Sequence, residues 1–292
     1  MAVSQRVNGI MLSKLNYTNE DYAIQSRLNE LFIELLECAK DKVFPYGRTS
    51  KDIVLDGIYP NFSHQKCKIL YIGRESLGLT GENYIDLMHH AYKVDKRIGT
   101  QSLNQHQLHS LKLSIAYGLN QNCCSWQEIP QATEIAKTFA SEQGVSYAFM
   151  NLSKLSNESD DWAVDWQLVD GFIDAFKNSE INFFSKQIDI IQPDIIITMN
   201  LEQRLQVLGQ ITPLEYGSKA SYYLLKTPER EYKLFDLFHF SAIGKSRNEC
   251  FYTPVVQGIK RFTSNYIETI SNDRLGLLPK INCALLSWND RN

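Results

Sequence analysis

The sequence predicts an α/β protein: one three-layer α/β/α sandwich around a central, mainly parallel sheet of four strands. Two observations carry this. Four short apolar runs, at 67–73, 146–151, 194–200 and 232–240, have the length and the β-branched or aromatic content of buried strands. Helical stretches separate consecutive runs, which is the pattern of parallel strands joined by crossovers.

Taken in order, 19–40 reads as an amphipathic helix in which Leu28, Leu31, Phe32, Leu35 and Leu36 form one buried stripe. A loop with Pro45, Gly47, Gly57 and Pro60 leads to the first strand, CKILYIG, which ends in glycine. The region 82–145 is helical in character, with Ala91, His106, Leu111, Ile115 and Ile135 at periodic positions, and reads as an insertion. SYAFMN is the second strand and ends in asparagine. Helices over 162–178 and 180–192 follow, the second stopped by Pro193. DIIITMN is the clearest buried strand, and YKLFDLFHF is the last. A closing helix from Tyr252 to about Ser271 carries Val255, Ile259, Phe262 and Ile267. The extension 272–292 is apolar enough (Leu277, Leu278, Ile281, Trp288) to be expected to pack back on the domain. There is no internal repeat and no linker composition, so 1–292 is expected to form a single domain.

A chain of 292 residues with 43% hydrophobic and 22% charged residues is long enough for a sizeable core, and its composition excludes a disordered, collagenous or mucin-like chain. The formal charge of -3 excludes a histone-like basic binder, so any nucleic-acid contact rests on a local patch. Such a patch is available between Lys226 and Arg261, where seven Lys/Arg face four acids. The six cysteines have no CxxC spacing and read as reduced thiols of a cytoplasmic protein. No apolar run is long enough for a signal peptide or a membrane span. The expected molecule is a soluble monomer with no metal and no cofactor.

In open α/β sheets ligands bind beyond the carboxyl ends of the strands. That rule selects Gly73, Arg74, Glu75 and Ser76 after the first strand, and Asn151, Ser153, Lys154 and Asn157 after the second. It also selects His239, Ser241, Gly244, Lys245 and Arg247 after the last. A carboxylate, an amide and an imidazole thus converge on one sheet edge. Each has a plainer reading: Glu75 as a solvated loop carboxylate, Asn151 as a turn cap, His239 as a satisfied core residue. No Walker loop, GxGxxG, HExxH or nucleophile elbow is present.

The succession KILYIGRESLG (68–78), YAFMNLSKLSN (147–157), IIQPDIIITMN (190–200) and FHFSAIGKSR (238–247) resembles the uracil-DNA glycosylase superfamily. There the first strand ends in a Gly-x-(Asp/Asn/Ala/Glu)-Pro-x motif, a strand ending in asparagine follows, and a His-Pro-Ser loop comes last. The resemblance spans about residues 66 to 263; Ser76 and Phe240 stand where the family has its two motif prolines. It implies base excision by a monofunctional DNA glycosylase acting on a flipped-out base, with DNA as partner. Glu75 would orient or deprotonate the attacking water and stabilise an oxocarbenium-like sugar. Asn151 would read the edge of the base, with Gly73 also a base-recognition position, and His239 would donate to the departing pyrimidine O2. Ile243 would be the wedge in the base stack, with Ser241, Lys245 and Arg247 on nearby phosphates.

Uracil-specific members of that family place a tyrosine two residues after the catalytic position, where it blocks a C5 methyl; here Leu77 stands there. With the insertion at 82–145, this implies uracil or a modified pyrimidine as the base, a modified cytosine of phage DNA and a role in antiviral defence included. The four-cysteine pattern of the iron–sulfur branch is lacking, so no cluster is expected. Two other readings stay open: a DNA-binding module of the same fold with weakened chemistry, and a nucleoside or nucleotide hydrolase.

Overall fold

A computed structural model describes residues 6–7, 10–159 and 163–270 of the chain, with the side chains of 6–11 and 263–270 excepted. The extension 272–292 lies outside the described residues, and so does the side chain of Ile267.

Seven strands form one mixed sheet. In chain order they are β1 (Gly57–Ile58), β2 (Ile69–Gly73), β3 (Ala148–Asn151), β4 (Ile195–Met199), β5 (Gln210–Tyr216), β6 (Ala220–Lys226) and β7 (Glu231–Leu237). Their order across the sheet is β5-β6-β7-β4-β2-β3-β1. The four runs read as strands are β2, β3, β4 and β7, and these pair parallel to one another at the centre. The expected four-stranded sheet is therefore corrected to seven, with an antiparallel β5–β6 hairpin on one edge and antiparallel β1 on the other. Two of those three strands escaped the sequence reading for physical reasons. Strand β1 is two residues long, and β5 is exposed at six of its seven positions, so neither presents a buried apolar run.

Side chains along the central strands alternate between two separate cores, as a pleated strand buried on both faces requires. Leu70, Ile72, Met150, Ile196 and Leu234 enter one core. Ile69, Tyr71, Phe149, Ile197 and Phe235 enter the other. Helices α1 (Asn19–Ala39), α5 (Trp166–Phe176) and α6 (Phe183–Ile191) cover the first face. Helices α2 (Tyr84–His90), α3 (Gln107–Asn120), α4 (Ala132–Thr138) and α7 (Thr253–Ile270) belong with the second. The apolar stripe of α1 is buried as its spacing requires, and the Thr18 hydroxyl caps its first turn by accepting from the Asp21 N–H.

Strand β2 sits between β3 and β4, so the chain steps to one side of β2 for its second central strand and to the other for its third. This reversal makes the carboxyl ends of β2 and β4 a topological switch point, where open sheets leave a crevice.

Candidate active site

A cleft of about 370 Å³ opens at that sheet edge. It is lined by Glu75 and Leu77 after β2, by Asn151 at the end of β3, and by His239 and Ser241 after β7. The three strand-end groups selected from the sequence thus meet in one cavity. Its opposite wall comes from the 82–145 region, through Tyr84, Met88, His106 and His109.

Glu75 is half-buried, and its Oε1 accepts from the Asp165 N–H at 2.9 Å. Asp165 is the N-cap of α5, so a helix start anchors the carboxylate. Burial pushes the carboxyl pKa up to about 7, against the opposing pull of the Asp165 N–H and of Arg74. Arg74 donates to the Asn200 carbonyl at 3.2 Å and lies over the Trp166 ring at 4.8 Å. Arg204 lies over the same ring at 3.7 Å and is held bidentately by Asp170.

His239 is held neutral: burial, reinforced by the Arg74 charge, lowers its pKa to about 4. Its Nδ1 accepts from the Ser241 N–H at 3.3 Å. A neutral ring that accepts at Nδ1 carries its proton on Nε2, and so presents a donor.

Asn151 is buried, and among the described residues its Oδ1 has no hydrogen-bond partner. A buried acceptor left unpaired costs about 1–3 kcal/mol. A Cβ at Gly73, which pairs with Asn151 across the β2–β3 ladder, would collide with that oxygen, so glycine is what lets the amide sit there. Beneath it lies a buried ion pair. Lys154 Nζ donates to both oxygens of Asp56 at 2.7 Å, Gln187 donates to Asp56 at 2.8 Å, and Asp56 accepts the Asn151 N–H at 2.8 Å. Asp56 was not legible as a site residue, because a lone aspartate before a two-residue strand has no motif around it.

The loop after β7 is tied to α3, since Gln107 donates to the Phe240 and Ala242 carbonyls at 2.8 and 2.9 Å. Ile243 stands at its tip, 96% exposed, beside Gly244 in a left-handed conformation (φ +72°). Lys245 is exposed, with its ammonium 4.4 Å from the Phe238 ring centroid. Arg247 donates to the Asn104 carbonyl at 3.1 Å, so it serves first to fix the loop. The basic patch read between 226 and 261 is not one patch. Lys226 and Arg230 lie at the β6–β7 hairpin, at the opposite end of β7 from His239, and Arg261 pairs with Glu215. Lys245 and Arg247 follow His239 and Ser241, which line the cleft, on the same loop.

Among the described residues, no helix is long and apolar enough to cross a membrane. Compared with models of protein families, with curated proteins and with solved structures, the chain matches none.

Proposed function

We propose that this chain is a monofunctional DNA glycosylase that hydrolyses the N-glycosidic bond of a flipped-out uracil or modified pyrimidine and leaves an abasic site. The observation that carries the reading is the convergence of Glu75, Asn151 and a neutral, Nε2-protonated His239 on one cleft at the carboxyl edge of the sheet's parallel centre. The central strands also follow the succession of segments on which the resemblance to the uracil-DNA glycosylase superfamily rests.

Bond cleavage leaves positive charge on the sugar and negative charge on the base. Ionised Glu75 faces the first charge and orients the attacking water, from which it accepts a proton. The His239 Nε2–H faces the second, at the pyrimidine O2. Because that charge exists only near the transition state, the donor favours the transition state over the ground state. A neutral imidazole can serve here, because its Nε2–H is a hydrogen-bond donor while Nδ1 is held as an acceptor by the Ser241 N–H. The Asn151 amide reads the base edge, and it presents either its oxygen or its nitrogen, so it fits uracil or cytosine. Phe149, two residues earlier on the same face of β3, is stacked on Tyr84 at 4.4 Å and gives the base an aromatic wall. Ile243 is the wedge that fills the gap left by the flipped nucleotide, with Ser241 and Lys245 on the flanking phosphates. Arg247 has five N–H groups and keeps donors for a phosphate beyond those spent on the loop.

The test is release of free base from oligonucleotides carrying uracil, 5-hydroxymethyluracil, 5-hydroxymethylcytosine or glucosylated 5-hydroxymethylcytosine. The expected result is release from at least one substrate, reduced about 10²–10⁴-fold in Glu75→Gln and strongly reduced in His239→Ala. Binding of DNA without any release would favour a binding module, and release from free nucleosides that ignores Ile243→Ala and Lys245→Ala would favour a nucleoside hydrolase.

A further inference from the structure

The cleft wall opposite the strand ends carries polar groups that the chemistry above does not use. His106 is the N-cap of α3, and within the helix His109 and Lys112 stand three residues apart, hence as neighbours on its surface. His109 lines the cleft, and its Nδ1 lies 2.5 Å from the Tyr92 hydroxyl. That hydroxyl in turn accepts from the Tyr147 hydroxyl at 2.9 Å. Tyr92 is fully buried, and its own proton has His109 Nδ1 as its acceptor, since a buried hydroxyl does not leave its hydrogen unpaired. The relay Tyr147 to Tyr92 to His109 therefore fixes the neutral ring with its proton on Nε2. Burial, with Lys112 adding to it, holds the His109 pKa well below the usual value, so the ring stays neutral at physiological pH.

A second donor is oriented beside it. Lys112 is completely buried, lies 4.3 Å from the Phe149 ring centroid, and gives its Nζ hydrogen bond to the Tyr84 hydroxyl at 2.9 Å. A phenol oxygen that accepts from an amine keeps its own proton to donate elsewhere, and Tyr84 lines the cleft.

These groups matter because of what the base leaves over. With O2 on His239 and the pairing edge on Asn151, the C5 edge of a pyrimidine is turned toward the remaining walls. Leu77 lines the cleft and is 38% exposed, and the cleft is the size of a site for a ligand larger than a bare pyrimidine. We propose that His109 and Tyr84 form a two-donor subsite for an oxygen-bearing substituent at pyrimidine C5, with Tyr92 and Lys112 as the residues that position the two donors. The inference rests on the glycosylase reading for the orientation of the base. A C5 methyl offers the donors nothing, and a C5 hydroxymethyl offers each of them an acceptor.

The experiment measures affinity in Glu75→Gln protein, which holds substrate without turning it over. The probes are matched oligonucleotides with a single thymine or a single 5-hydroxymethyluracil opposite guanine. The hydroxymethyl base is expected to bind about tenfold tighter than the methyl base. Adding His109→Phe or Tyr92→Phe is expected to bring the ratio to near one while thymine binding stays the same. Lys112→Met is expected to narrow the ratio, and it provides a second variant should a change on His109 unfold the chain. A ratio near one before any wall residue is changed overturns the subsite, and so does a tenfold ratio that survives all three variants. Absence of base release by the unaltered protein, with the ratio and its loss intact, overturns the glycosylase reading and leaves the subsite standing.

Discussion

Glu75 and His239 are shifted in opposite directions by the same cause. Burial disfavours the charged form of each, which raises the carboxyl to about 7 and lowers the imidazole to about 4. The consequences for stability have a definite sign. Between its unfolded value of 4.5 and its folded value of about 7, Glu75 releases its proton in the unfolded chain but keeps it in the folded one. Stability therefore falls as pH rises through that window and stays lowered above it. Glu75→Gln removes this cost, so chemical denaturation at pH 8 should show the variant more stable by roughly 2 kcal/mol, a gain that disappears below the unfolded value. Equal stability of the two proteins at pH 8 would show that the carboxyl is not shifted. Leu77 belongs to the same scale. It is partly exposed at the cleft, held by the short parallel pairing of Ser76–Leu77 with Ser156–Asn157. Leu77→Tyr should lower activity on C5-substituted pyrimidines relative to uracil, read as the ratio of release rates; an unchanged ratio would contradict a gate at this position.

At the scale of elements, the end of β3 depends on the ion pair beneath it. Asp56 holds the Asn151 N–H and is itself compensated by Lys154 and Gln187. Lys154→Met leaves a buried carboxylate without its cation, and should cost about 3–5 kcal/mol in an equilibrium unfolding experiment. Loss of less than 1 kcal/mol would mean that Asp56 is otherwise neutralised. Three of the four parallel strands were legible because each is buried along its whole length and reads as a nearly continuous apolar run, and β7 was legible from Tyr232, Leu234, Phe235 and Leu237 despite the polar residues between them. The edge strands were not: the exposed residues of Gln210–Tyr216 resemble a loop when taken without their partners. Helix α3 posed the reverse difficulty. It is buried at every position from His109 to Asn120 except Tyr117, so its pattern shows no single inner face. The sequence reading did not single out His109 and Lys112, because what they touch depends on Tyr84, Tyr92 and Tyr147, which come from other elements.

At the scale of the whole molecule, a parallel centre brings to one edge residues that are 164 positions apart in the chain, from Glu75 to His239. The carboxylate, amide and imidazole of that edge were legible because strand ends locate them without any knowledge of the loops between. The charge distribution was not legible in the same way, since the direction of β7 sends Lys226 and Arg230 to the far side. The loop that carries Ile243 projects into solvent and is tied back through Gln107 of α3 and through Arg247 to the Asn104 carbonyl just before that helix. If it enters the base stack, Ile243→Ala should reduce release from duplex DNA by about tenfold or more and leave release from single strands nearly unchanged. Equal losses on both would assign the loop a different role.

The most direct measurement is the single-turnover rate of base release followed by mass spectrometry from pH 5 to pH 9 on the best substrate of the panel. The account predicts a free base and an abasic strand, and a rate that rises with pH through a single ionisation near 7, the value to which burial brings Glu75. It predicts no fall across this range from His239, which is already neutral throughout. In Glu75→Gln the ionisation should vanish together with most of the rate. Absence of free base at every pH, or a rate indifferent to both pH and Glu75→Gln, would contradict it.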